Sequence, residues 1–261
     1  MSLIRIDRFI SERSEYSRSE IKNLVSRKLV AADGIIIKKS DMKINPDTVH
    51  VIVDGNEIRN QKFRYIILNK PAGYVSSTSD SDGTSVMHLL PESLRTKDMF
   101  PAGRLDKDSL GLLLITNDGE LAHRILSPTR HVSKIYIVKL ASPFKSEYIN
   151  LFKNGLKLAD GYQCLPADVK VAELSDKLAF IKLHEGKYHQ VKRMFSAAGN
   201  HVDVLIRISV GGLVLPEKLG LGEHMELLHK NVESLFSEPD FDLLIRNFQG
   251  DFSAKLINNR S

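Results

Sequence analysis

Asp106 is an acid in a polar loop, Gly103-Arg104-Leu105-Asp106-Lys107-Asp108-Ser109, two residues after a base, Arg104. Directly behind it runs Leu110-Gly111-Leu112-Leu113-Leu114-Ile115-Thr116, whose apolar centre (Leu112 to Ile115) reads as a buried strand ending at an Asn117-Asp118-Gly119 turn. A carboxylate at the mouth of such a strand is fixed by the scaffold and exposed by the loop, which suits a nucleophile or a general base. The same tripeptide also describes a surface ion pair. A second candidate block is Glu185-Gly186-Lys187-Tyr188-His189-Gln190-Val191-Lys192-Arg193-Met194-Phe195. It sets Lys187, His189, Lys192 and Arg193 around the start of a helix, where cations and free amides attract anions, and Tyr188 between them suits an unstacked base. A basic helix face packed through Val191, Met194 and Phe195 explains the block equally well.

The remaining residues narrow the chemistry. No Gly-x-Ser-x-Gly elbow and no Walker loop occurs, and Gly211-Gly212 lacks the third glycine of a dinucleotide fingerprint. The single Cys164 leaves no internal disulfide and no Cys-x-x-Cys metal site, and the nine histidines form no His-Glu-x-x-His pair. A reaction without metal or organic cofactor, run by one carboxylate, stays open.

With 42% hydrophobic and 26% charged residues, the 261-residue chain has the composition of an ordinary globular protein. Its net charge of +5 leans toward a polyanionic partner. No run approaches the length of a membrane span, and Met1 to Asp7 lacks an apolar leader core, so a cytoplasmic protein is expected.

Two regions are expected to carry these residues. In the first, Ile6, Phe9 and Ile10 have helical spacing, and Ser17-x-x-Glu20 is a capping box opening a helix with the apolar stripe Ile21, Leu24, Val25. Arg18 and Lys22 share its polar face. Asp33-Gly34 and Asp54-Gly55 mark tight hairpins. Through residue 43 there are ten Lys or Arg against six Asp or Glu, a local +4. Residues 59–64 read as a polar linker. Beyond it strands at Tyr65–Leu68, Val132–Leu140, Val169–Val171, Ala179–Leu183 and Asp203–Ile208 alternate with helices at Leu121–Leu126, Tyr148–Gly155 and Gln190–Ala198, and Ser85–Leu90 reads as a helix start cut by Pro91. Phe241, Leu244, Phe248 and Phe252 give the end of the chain near-helical spacing.

The helix-turn-helix and hairpin over residues 3–58 resemble the S4 RNA-binding domain, with Asp33-Gly34 in place of the usual Asn-Gly. Gly103-Arg104-Leu105-Asp106 with its Gly-Leu-Leu-Leu-x-Thr-Asn-Asp-Gly strand is similar to the catalytic motif of the RsuA-type ribosomal pseudouridine synthases. Asn69-Lys70-Pro71-Ala72-Gly73, Ser133-Lys134-Ile135-Tyr136-Ile137-Val138 and Glu185 to Phe195 match further family blocks in the same order. Departures are small: Ser109 replaces a frequent Thr, and Lys187 a frequent Arg, which loses bidentate phosphate geometry but keeps charge.

The resemblance implies an α+β fold: an S4 module of the α-L type over 1–60, a catalytic domain built on a mixed, mainly antiparallel sheet over 61–236, and an extension of unassigned role over 237–261. It implies isomerisation of uridine to pseudouridine in ribosomal RNA. The run from Tyr188 to Val202 is most similar to the small-subunit type, whose target is uridine 516 of 16S rRNA. A 23S rRNA enzyme, or a non-catalytic S4 protein of ribosome assembly, is the alternative. Asp106 becomes the catalytic aspartate, Tyr136 the residue against the target base, and Lys192 the partner of Asp106, with Lys187 a competitor for that place. Arg104 is implied to fill the stack vacated by a flipped uridine. Lys70, Lys187 and Arg193, with Arg5, Arg8, Arg18 and Lys22 of the S4 module, are the implied RNA contacts. No cofactor or metal is implied, and a monomer is the default.

Overall fold

Local sequence chemistry accounts for the first unit of the computed structural model, which describes residues 3–58 and 63–248. This unit comprises the chain up to Arg64 together with Leu90–Met99. Helix α1 (Ile6–Ser11) buries Ile6, Phe9 and Ile10 against Ile21 and Val25 of α2 (Arg18–Ser26). Strands β1 (Val30–Ala32), β2 (Ile35–Ile36), β3 (Val51–Val53) and β4 (Asn56–Ile58) form a sheet in the order β2-β1-β3-β4, and Val30, Val51 and Val53 complete the same core. Both hairpin turns need positive φ at two successive positions. Asp33 and Gly34 (φ +49° and +79°) and Asp54 and Gly55 (+48° and +78°) supply it.

Ser17 caps α2 reciprocally, its hydroxyl accepting from the Glu20 amide while the Glu20 carboxylate accepts from the Ser17 amide at 2.6 Å. Ser17→Ala is therefore expected to cost about 1 kcal/mol of stability. Urea unfolding followed by circular dichroism checks this, and an unchanged midpoint would show that the cap is idle. The basic residues of this unit differ in their freedom. Arg5 forks onto Asp7 (3.1 and 2.6 Å) and Arg8 pairs with Glu12 at 2.8 Å, whereas Arg18 and Lys22 stand exposed on α2 with no acidic partner within 4 Å among the described residues.

The second unit, Tyr65–Leu89 with the chain from Phe100 onward, is built on a mixed sheet. The strands along its main path are β5 (Tyr65–Lys70), β6 (Leu110–Thr116), β7 (Lys134–Leu140), β8 (Asp168–Ala172), β9 (Ser175–Leu183), β10 (Val202–Val210) and β11 (His224–Glu226). The order is β8-β9-β7-β10-β6-β5-β11, and all neighbours run antiparallel except β10 and β6. Strands β5 and β6 are buried at every residue, as their unbroken apolar runs imply. Gly111 makes the parallel contact possible. Its φ is +101°, and a Cβ there would lie 2.2 Å from the carbonyl oxygen of Arg207.

Helices pin the elements that bear the candidate residues. α3 (Gly119–Leu126) begins at Asp118, whose carboxylate accepts from the Leu121 amide and from the Tyr65 hydroxyl. α4 (Glu147–Lys153) and α5 (Gln190–Ala197) meet in an aromatic cluster, Tyr148, Phe152 and Phe195, with ring centroids 5.1 to 6.1 Å apart. That packing buries Val191, Met194 and Phe195, which fixes the rotation of α5.

Two expectations change. Ser85–Leu90 does not open an α-helix but forms a short 3-10 turn, Val86–Leu89. The Ser85 hydroxyl takes the Met87 amide and reaches the Ser77 carbonyl, while Pro91 blocks extension. Leu90–Met99 groups with the first unit, although it falls within the 61–236 span expected for the catalytic domain. The last described segment forms α6 (Phe241–Phe248), burying Phe241, Leu244, Ile245 and Phe248. Lys170 pairs with Asp242 and lies over the Phe241 ring. Phe252 and residues 59–62 of the expected linker lie outside the described residues.

Candidate active site

The Asp106 loop is held from beneath. Lys70, the last residue of β5, is fully buried, and its ammonium meets the carbonyls of Pro71 (3.0 Å), Asp106 (3.0 Å), Lys107 (3.3 Å) and Ser109 (2.8 Å). Ser76 accepts the Leu105 amide and donates to the Leu105 carbonyl, both at 3.0 Å. Leu105 turns inward, so the next side chain, Asp106, turns out into a cleft of about 660 Å³. The loop backbone is thus fixed through its carbonyls and the Leu105 amide, without use of the Asp106 carboxylate.

Two basic side chains meet that carboxylate. His189 Nε2 lies 3.3 Å from one oxygen and Lys192 Nζ 3.4 Å from the other, with 23% of the Asp106 side chain exposed. Lys192 is nearer still to Asp108, at 2.6 Å. It bridges two carboxylates and is not committed to one. Burial raises the Asp108 carboxyl, but the Lys192 hydrogen bond and charge outweigh this and hold it below the usual carboxylate range. His189 sits at the N-cap of α5 with φ +49°, a left-handed geometry that aims its ring back toward the loop, stacked 3.8 Å from Tyr188.

Below the Lys187–His189 turn lies a buried acid. Glu185 accepts from the Tyr162 hydroxyl, the Leu165 amide and the Gln190 side chain, while Gln190 accepts from the Lys187 amide. These bonds tie the turn to the 162–165 segment. Lys187 therefore lies over the Tyr162 ring at 5.2 Å and does not compete for Asp106.

Tyr136 comes from the centre of β7 and lines the cleft, paired across the sheet with Arg207 of β10. Arg207 is buried, its Nε donating to the Leu112 carbonyl at 2.8 Å and its Nη1 to that of Arg104 at 3.4 Å. Arg104 itself is exposed at the cleft edge.

The structure thus gathers Asp106, Tyr136, Arg104 and Lys187 around one cleft, with Lys192 on Asp106. Two implied RNA contacts are corrected. Lys70 is enclosed by carbonyls and has no surface to offer RNA, because its β5 pairing with Gly111 turns it under the loop. Arg193 is half-buried, paired with Asp160 and donating to the Tyr188 carbonyl, so its charge is used internally. Sequence reasoning missed Asp108 and Arg207 and gave His189 no individual role. Arg207 had a legible signal, a lone charge in the apolar run Val204-Leu205-Ile206-Arg207-Ile208, where burial demands partners.

Among the described residues no helix is long and apolar enough to cross a membrane. Residues 64–197 match the RNA pseudouridylate synthase family. The chain is 41% identical to the uncharacterized RNA pseudouridine synthase YtzG of Bacillus subtilis over 90% of its own length and 99% of that protein. It is 38% identical to ribosomal small subunit pseudouridine synthase A of Escherichia coli K12, over 89% of this chain and 100% of that one. A solved pseudouridylate synthase structure superposes with a TM-score of 0.62 at 34% identity, over 89% of this chain and 99% of the other. With Asp106 held by its backbone at the cleft and a match to such enzymes along nearly their whole length, the chain belongs to the RsuA-type RNA pseudouridine synthases.

Proposed function

We propose that the protein converts uridine to pseudouridine in ribosomal RNA, at uridine 516 of 16S rRNA, with Asp106 as its catalytic carboxylate. The observation that carries this reading is the Asp106 carboxylate in the cleft between His189 and Lys192, its backbone clamped by Lys70. Breaking the glycosidic bond by attack at C1′, or by removal of a ribose proton, needs an ionised acid in either case. Tyr136 stacks on the detached base and keeps it in the cleft while it turns. Lys192 orients Asp106, and its hold on Asp108 keeps it in place when substrate displaces one contact. Arg104, exposed at the edge, takes the place of the flipped nucleotide.

The first unit acts as an S4-type module that grips structured RNA by phosphate and shape. Its exposed Arg18 and Lys22 support that role better than Arg5 and Arg8, which are paired with acids. The small-subunit target rests on the full-length similarity to the Escherichia coli enzyme named for that subunit. The protein works in the cytoplasm as a monomer.

Chemical mapping of pseudouridine in 16S and 23S rRNA from cells lacking the gene tests the reading. The expected result is loss of one 16S pseudouridine, at position 516, restored by the wild-type gene. Loss of a 23S site overturns the target, and an unchanged map overturns the ribosomal substrate.

A further inference from the structure

Lys134 also lines the cleft. It opens β7 two residues before Tyr136, so both side chains project from the same face of the strand, and both line the cleft that holds Asp106. Its register partners on the neighbouring strands are Leu183 and Val210, which line the cleft as well. The side chain therefore leaves the strand between two apolar neighbours. It donates to the Val132 carbonyl at 2.7 Å and, among the described residues, has no carboxylate within 4 Å.

That setting is costly for a cation. Burial, and then the charge of Arg207, push Lys134 down to about 8. Arg207 spends its own donors on backbone carbonyls, and Lys192 is shared by Asp106 and Asp108. Lys134 is different: a desolvated cation beside the proposed base-stacking residue, with donors to spare. A group of this kind is matched to an anion that forms in the cleft during reaction.

We infer that Lys134 is a further catalytic residue, stabilising the uracil anion released when the glycosidic bond breaks. In that step the C1′–N1 bond cleaves and its electron pair leaves with the base, spread over N1, O2 and O4. Positive charge develops on the sugar, beside Asp106, and negative charge on the base, beside Lys134. Lys134 donates a hydrogen bond to a carbonyl oxygen of the base and keeps its proton throughout. The base then rejoins C1′ through C5, the C5 hydrogen is lost and N1 takes up a proton, so the net change is an isomerisation. Fixed charges of opposite sign on the two sides of the breaking bond favour separation, since they are stronger in the transition state than in the ground state.

The inference rests on the uridine-isomerising reading of the cleft, and the two fail separately: wild-type conversion of a 16S rRNA transcript tests the reading, and variants test Lys134. Lys134→Met should lower the single-turnover rate by about 100-fold, the scale of one lost oxyanion donor. RNA affinity and its salt dependence should be unchanged. Lys134→Gln, which can still donate to the Val132 carbonyl, should show the same rate loss if charge is what matters. With 5-fluorouridine at the target position, the fluorine already stabilises the departing base, so the loss in rate of 5-fluorouridine consumption should be clearly smaller. Equal losses on the two substrates overturn the assignment. So does a wild-type rate in Lys134→Gln, or a loss carried by Kd with a salt slope reduced by about one, which marks a phosphate contact.

Discussion

Asp106→Asn is expected to form no detectable pseudouridine while binding RNA with wild-type affinity. Asparagine has nearly the same shape, and the bonds that fix this loop run through backbone atoms: the Asp106 carbonyl accepts from Lys70 and from the Ser109 amide. The fold of the loop therefore survives. What disappears is the negative charge, and with it both the nucleophile and the base. Loss of such a group costs at least about 10⁴-fold in rate. Lys192 keeps its nearer partner Asp108, so no cation is left stranded, and the melting temperature should stay close to that of the wild type. Tritium release from RNA labelled at C5 of uridine measures activity, and filter binding measures affinity. Substantial activity in the variant would remove Asp106 from the chemistry. A large fall in affinity would make it a binding residue.

The same loop shows what could be read before the structure and what could not. Periodicity exposes β6, because a run of Leu and Ile bounded by turn residues has few other meanings, and Asp33-Gly34 declares its hairpin by the backbone angles it tolerates. Asp106 itself was legible only by resemblance to family motifs, since an acid after an arginine is common on surfaces. Asp108 and Lys192 illustrate the limit. They are 84 residues apart, and their 2.6 Å contact arises only because α5 is rotated by its aromatic packing onto α4. Lys70 shows the same limit. A lysine after a strand suggests a surface charge, and only the pairing of β5 with β6 shows that its end is closed by four carbonyls. Gly111 carries similar information: its place in a leucine-rich strand looks like a weakness until the Arg207 backbone is seen at a distance no Cβ could share.

Lys70→Met is expected to loosen the Asp106 loop and to reveal an unusual pH dependence of stability. Four carbonyls lose a shared charged donor in a fully buried site, which costs about 3 kcal/mol at neutral pH, and kcat should fall more than KM rises because Asp106 loses its fixed position. The sign of the pH effect follows from the buried ammonium. Burial pushes Lys70 down to about 8, against 10.5 when the chain is unfolded, with Asp108 and Asp106 opposing the shift. Between those two values the unfolded chain holds more protons than the native one, so stability rises with pH through this window. Below pH 8 the native state carries the whole cost of keeping the cation from water. The wild type should therefore gain on Lys70→Met by up to about 3 kcal/mol between pH 8 and 10.5. Lys134 and Tyr65, which also titrate abnormally, do so in both proteins and cancel in the difference. Urea unfolding of both proteins at pH 7, 8, 9 and 10 measures the gap. A gap that stays flat up to pH 10 would mean that the four carbonyls hold Lys70 charged up to 10.5 or beyond, making the ammonium itself, and not merely a donor, the clamp on the catalytic loop.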